Sequence, residues 1–306
     1  MRGVTKRYGT LDALKDVTFT IKQGEAVGYL GPNGAGKTTT LKLFSGLTRP
    51  DAGAVSVAGF DILHERQKAL TRIGVLVETP GILPYLSGTD LLMHVAEVKG
   101  VPLNERMASV QAAASSLGVK DQLGRTLGSL STGLLRRVLL ASAMVGNPTT
   151  LLLDEPTLGL DPAARADLRV TLKGLHKKGT TIFLTTHLID DVEEVCGRAI
   201  FLREGQVAGD EAVSPEITGD GATGAIVVKT LDQVNLADIT GLIKPPSAAE
   251  LRSEREVVIR FQGGDAAQSD ILRALVTGGV RVLGVSPLGP DLAARYMATV
   301  GRQEAV

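Results

Sequence analysis

Short apolar runs bounded by Gly and Pro alternate with segments of helical period along the first two thirds of the chain. The runs AVGYL (26–30), RIGVLVE (72–78), TLLLDE (150–155), TTIFLTT (180–186) and RAIFLREGQV (198–207) are too uniformly apolar for strands with one wet face. They predict strands buried on both faces of a largely parallel sheet. Helical patterns open at Gly36 and Pro162, and a further one follows residue 186. This is an α/β layout. Residues 88–147 break the rhythm: Leu91, Leu92, Val95, Ala96 and Val98 recur at helical spacing with almost no strand signal, which predicts a helical subdomain inserted in the sheet domain.

The stretch EAVSPEITGDGATG (211–224) is rich in Gly, Ser, Thr and Pro, which predicts a linker after a first domain over 1–210. Beyond it AIVVKT, VNLADITGLI, EVVIRFQG, QSDILRALVTGG, VRVLGVSPL and a last helix from Pro290 read as β, α, β, α, β, α. Residues 225–306 therefore predict a small α+β domain.

Composition changes this picture little. The chain has 306 residues, 43% of them hydrophobic, and 33 basic side chains balance 33 acidic ones. That balance offers no electrostatic case for nucleic acid, so no nucleic-acid partner is expected. No apolar run reaches the roughly 18 residues of a membrane span, and MRGVTKRYG lacks the apolar core of a secretory signal. A location outside the membrane, in the cytosol, is expected. The single cysteine, Cys196, has no partner within the chain and reads as a small buried residue, not a nucleophile.

The chemistry lies in three stretches. GPNGAGKT (31–38) fits GxxxxGK[ST] between an apolar strand and a helix. In such a loop, here Gly31, Pro32, Asn33, Gly34, Ala35 and Gly36, the glycines let the backbone N–H groups of the non-proline residues turn toward one point, where the helix start adds partial positive charge. Lys37 reaches the β and γ phosphates, the Thr38 hydroxyl ligates magnesium, and Thr39 at the helix start is expected among the nucleotide-binding residues. The strand TLLLDEP (150–156) ends in two successive carboxylates, which strand alternation sends in different directions. Asp154 is assigned to magnesium through its water shell and Glu155 to polarising the attacking water. Finally LSTG (130–133) opens a helix. By itself this reads first as a plain N-cap, with Leu134, Leu135, Val138 and Leu139 as core. As a second anion site, it makes sense for nucleotide held by another copy of the domain.

Taken in order over residues 4–210, these features resemble the ATP-binding subunits of ABC transporters. Walker A is 31–38, the signature 130–134, and Walker B ends in Asp154 and Glu155. LGLD (158–161) resembles the D-loop, with Asp161. His187 in LTTHLID resembles the switch histidine that contacts the γ phosphate, and Tyr8 in VTKRYG the aromatic that stacks on adenine. The resemblance implies a P-loop NTPase fold, ATP and Mg2+ as cofactors, and ATP hydrolysis with Glu155 and His187 as catalytic residues. It further implies closure of two such domains, as homodimer or heterodimer, with Ser131 and Gly133 of one completing the Walker A site of the other. With one nucleotide site and no membrane span, the chain would lend its motion to a multi-span permease at the cytoplasmic face of the membrane.

Three motifs depart from the commonest family pattern. Glu78 in IGVLVETPGILPYLSG stands where the Q-loop glutamine usually does; its carboxylate can still ligate magnesium but adds negative charge. Thr132 and Leu134 replace a glycine and a glutamine of the signature, and Leu158 a smaller or polar D-loop residue. Reduced or partner-dependent turnover is expected. Similar substitutions occur among members that export peptide antibiotics and drugs, and the C-terminal pattern resembles the small tail of such exporters. An exporter of drugs, antimicrobial peptides or lipid-like molecules is the leading expectation. The alternatives are an importer ATPase and a soluble ABC protein acting on ribosomes or nucleic acid. Tyr296 and Met297, near the end, read as core.

Overall fold

The computed structural model describes residues 1–77, 84–213, 223–243, 247–287 and 292–300. It divides into two compact units: one over Met1–Val213 that resumes at Tyr296, and one over Ser214–Arg295.

The first unit is built on a six-stranded sheet ordered Gln206–Ala212, Arg198–Arg203, Ala26–Leu30, Thr181–Thr186, Thr150–Asp154 and Ile73–Leu76. All neighbours are parallel except the first pair. Every residue of Ala26–Leu30 and of Thr181–Thr186 is buried, as uniformly apolar strands covered on both faces must be. The antiparallel edge arises because RAIFLREGQV is two strands: Glu204 and Gly205 both take positive φ, 47° and 79°, the two-residue turn that hairpins favour. Phe19, Tyr29, Phe44 and Phe183 meet in one aromatic cluster, with ring centroids 5.2–5.9 Å apart.

A second, antiparallel sheet in this unit, ordered Leu11–Val17, Arg2–Tyr8 and Ala52–Ala54, is absent from the sequence reading. Its strands are interrupted by register shifts and bury only scattered residues, Val4, Ala13, Leu14 and Val17. They therefore lack the period-2 signal that exposes a half-buried strand. The helical segment comprises Gly88–Val98, Leu103–Ser116 and Thr132–Met144 with two short 3-10 turns between them. Ser87 caps the first of these helices in a capping box with Asp90.

The second unit is a four-stranded antiparallel sheet ordered Ala248–Ser253, Glu256–Gln262, Thr223–Thr230, Val282–Pro287. With helices Leu236–Leu242 and Gly264–Thr277 it follows the split βαβ pattern, β-α-β-β-α-β. Its own core gathers Ile226, Val228, Ile239, Ile243, Val257, Ile259, Phe261, Ile271 and Leu275. The strand Ala248–Ser253 went unread because it is an edge with mostly exposed residues. The linker read over 211–224 is narrower in the structure: Glu211 and Ala212 close one strand, Thr223 and Gly224 open another, and 214–222 lie outside the described residues. Gly224 sits opposite Phe261, and a Cβ there would come within 2.6 Å of that ring, so a glycine that looks like linker is a strand residue made small by its neighbour. At the end of the chain, the Tyr296 ring packs edge-on against Phe201 at 5.7 Å in the first unit, so the accessory unit stops short of the boundary read from sequence. Met297 is exposed, against the core role read for it.

Candidate nucleotide site

The loop 31–36 joins the buried strand Ala26–Leu30 to the helix Lys37–Phe44. Gly36 caps that helix at φ 108°, and a Cβ there would meet the Ala13 carbonyl oxygen at 2.5 Å. Only glycine closes the loop in this shape. Lys37 is buried at 7% exposure, and its Nζ donates to the carbonyls of Gly31 at 2.6 Å and Pro32 at 3.1 Å. Burial pulls the amine below its usual value, while Glu155 and Asp154 push it back up.

The Thr38 hydroxyl donates to Asp154 Oδ2 at 2.9 Å, which joins the start of that helix to the end of the strand Thr150–Asp154. The Thr185 hydroxyl, the register partner of Asp154, holds the other carboxylate oxygen. Magnesium prefers one or two carboxylates supplemented by phosphate oxygens, and this hydroxyl–carboxylate pair beside the phosphate loop fits such an ion.

Glu155 departs from the strand in the left-handed region at φ 44°. Its side chain accepts from the Thr186 hydroxyl at 3.2 Å, lies 2.9 Å from His187 Nδ1 and stands 4.0 Å from Lys37 Nζ. The two carboxylates thus separate in direction. Asp154 turns to Thr38 and Thr185, Glu155 to His187 and Lys37.

A cleft of about 490 Å³ is lined by Tyr8, Asn33, Gly34, Gly36, Lys37, Thr38, Thr39, Asp154 and Glu155, together with Leu11, Ala13, Arg136 and Leu158. It brings the half-exposed Tyr8 ring, with Lys6 Nζ 5.3 Å from its centroid, to the same cleft as the phosphate loop. Gly31, Pro32 and Ala35 shape the loop from behind: the first two through their carbonyls, Ala35 as a buried residue.

Ser131, Gly133 and Asp161 are not among the residues that line this cleft. Ser131 caps the helix Thr132–Met144, its Oγ accepting from Leu134 N at 3.4 Å, and Asp161 caps Pro162–Lys177, accepting from Ala164 N at 2.9 Å. The two helix starts are neighbours, since a Cβ on Gly133 would lie 3.3 Å from that of Ala164. Glu78 lies outside the described residues. Cys196 is buried, and burial together with the Asp191 charge pushes its thiol up, which removes it as a nucleophile.

Two features escaped the sequence reading. Arg136, in the second turn of the helix Thr132–Met144, lines the cleft and donates to backbone carbonyls at the end of the Asp154 strand. Asp191 has no exposed surface and receives the Thr157 hydroxyl and Arg169 Nε, the latter at 2.7 Å. Neither arginine stands in a sequence motif with a chemical warrant, and only their burial marks them.

Residues 14–158 match the family model for the ABC transporter. Along 99% of its length the chain is 30% identical to a Bacillus subtilis protein named as an uncharacterized ABC transporter ATP-binding protein, YdbJ, and it covers 96% of that protein. The chain belongs to the ABC transporter ATP-binding proteins. It is an ATPase of the α/β P-loop class. Another relative is the Nod factor export ATP-binding protein I of Burkholderia lata, 35% identical over 78% of each chain. The linearmycin resistance ATP-binding protein LnrL of B. subtilis is 30% identical over 78% of this chain and 80% of that one. Among solved structures, the dimeric MJ0796, a bacterial ABC transporter cassette, aligns with a TM-score of 0.64 at 27% identity, covering 70% of this chain and 98% of that one. The same cassette bound to ADP and Pi aligns with a TM-score of 0.63 at 26% identity. ABC ATP-binding subunits dimerise and work with membrane permeases. Among the described residues of this one, no helix is long and apolar enough to cross a membrane.

Proposed function

We propose that this ABC ATP-binding protein is the motor subunit of an exporter whose cargo is a drug, an antimicrobial peptide or a lipid-like molecule. The reading rests on one observation: relatives spanning more than three quarters of the chain carry names of export and of resistance to linearmycin. It acts peripherally, at the cytoplasmic face of the membrane, through a separate multi-span permease.

Within the site, the Walker A amides and Lys37 bind the phosphates of ATP, and Tyr8 meets the adenine. Thr38 and Asp154 hold Mg2+, with Glu78 as a further oxygen donor. Glu155 takes the proton of the attacking water, and His187, 2.9 Å from its carboxylate, orients that group and the γ phosphate. Ser131 and Gly133 stand on a helix start away from the chain's own cleft, which supports their serving nucleotide on a second subunit. Asp161, at the neighbouring helix start, belongs to the same surface. Homodimer and heterodimer both satisfy this geometry.

The test is to purify the tagged Glu155→Gln chain, which should retain ATP, from detergent-solubilised cells of its own source and identify its companions. A multi-span membrane protein encoded with it, whose loss sensitises cells to a drug or peptide, is the expected result. A substrate-binding protein and permease required for uptake would favour the importer reading. Ribosomes or DNA as sole companions would remove the transporter reading.

A further inference from the structure

Glu155 is a non-glycine residue in left-handed backbone, at φ 44°. Such a conformation is strained and persists only where its surroundings over-determine it. One restraint is the Glu155 N–H, which donates to the Thr185 carbonyl at 2.9 Å. A second is the Glu155 carbonyl, which accepts from the Leu158 N–H at 3.1 Å. Arg136 adds three more: Nε donates to the Pro156 carbonyl at 2.8 Å, and one terminal nitrogen to the carbonyls of Asp154, at 3.3 Å, and of Glu155. Three consecutive carbonyls across the bend are thus held by one planar fork.

Arg136 is only 9% exposed, and its guanidinium donates to carbonyls of the very segment that carries the Asp154 and Glu155 carboxylates. A buried cation used this way is costly unless its donors are well satisfied, which favours a role in geometry over one in simple packing. It is carried on the helix that Ser131 caps.

We propose that Arg136 is a positioning residue for hydrolysis: by gripping the backbone of Asp154, Glu155 and Pro156 it fixes the left-handed bend that separates the two carboxylates and aims Glu155. Through the same grip, a displacement of the signature helix is transmitted to the Glu155 backbone of its own chain. This inference rests on the assignment of Glu155 as the general base, and not on the direction of transport.

The experiment is a double-mutant cycle between Arg136→Lys and Glu155→Gln in the full chain, with ATP turnover followed by release of labelled phosphate. Lysine keeps the charge but cannot span three carbonyls. Arg136→Lys is expected to lower kcat at least about tenfold while the KM for ATP and the Kd for a fluorescent ATP analogue stay within about threefold. Because it acts through Glu155, the double variant should turn over within about twofold of Glu155→Gln alone. Unchanged kcat in Arg136→Lys, or fully additive losses in the double variant, overturns the proposal. Should Arg136→Lys fail to fold, Arg136→Gln enters the same cycle with the same expected and overturning results: its one short amide cannot span three carbonyls, and it leaves no charge to bury. An exporter reading that fails in the companion experiment leaves this cycle unaffected, whereas a Glu155→Gln chain with full turnover removes the base assignment itself.

Discussion

At the scale of single residues, the site is a set of oxygens and one amine sorted by direction. Asp154 is engaged by Thr38 and Thr185, and Glu155 by His187 and Thr186, so neighbours in sequence face different partners. A general base contributes about 100- to 10,000-fold to a reaction of this kind. Glu155→Gln should therefore slow steady-state ATP hydrolysis by at least about 100-fold while leaving ATP binding within a few fold, as read by phosphate release and equilibrium binding. The loop is limited differently. Gly36→Ala puts a Cβ at φ 108° and within 2.5 Å of the Ala13 carbonyl oxygen. Strain of about 1–3 kcal/mol corresponds to a loss of roughly 5- to 150-fold in nucleotide affinity. Equal ATP affinity in Gly36→Ala and the parent chain would show that the loop relaxes freely.

At the scale of elements, the helix Thr132–Met144 is tied by two cations, the buried Arg136 near its start and the half-buried Lys99 at its end. Arg136 grips the end of the Walker B strand, and Lys99 Nζ donates to the carbonyls of Ala143 at 2.9 Å and Val145 at 2.8 Å, where the helix leaves its last acceptors unpaired. Burial brings the Lys99 amine down to about 8. Below that pH both the folded and the unfolded chain are protonated here and the penalty for burying the charge is present in full. Between about pH 8 and 10.5 the unfolded chain holds the proton that the folded chain has released, so the lysine's contribution to stability rises with pH. Denaturation of wild type and Lys99→Met at pH 7.5 and 9.5 should show their difference moving in favour of wild type, by on the order of 1–2 kcal/mol. A difference independent of pH would mean that the amine stays protonated throughout.

At the scale of the whole molecule, each of the two units has its own hydrophobic core, and the nucleotide chemistry belongs to the first. A ligand stabilises only what binds it, by about 2.7 kcal/mol at 100 times its Kd. Calorimetry of the Glu155→Gln chain with and without ATP and magnesium should raise the transition of the ATPase unit and leave that of the small α+β unit in place. A single transition that shifts as one would show that the two units unfold cooperatively.

The parts whose chemistry is local can be read from the chain alone. A strand end, six loop residues and a helix start make a phosphate cradle from consecutive residues, so GPNGAGKT is legible wherever it occurs. The parallel sheet was equally legible, because strands covered on both faces must be apolar throughout. The tertiary structure decided what depends on residues far apart. The strands Arg2–Tyr8 and Leu11–Val17 bury too few residues to announce themselves, and Gly224 looked like linker until Phe261 was set across from it. Arg136 looked like one of two ordinary basic residues in a helix. Its meaning came from three carbonyls about 20 positions away, because a backbone carbonyl carries no trace in the sequence of which side chain will hold it.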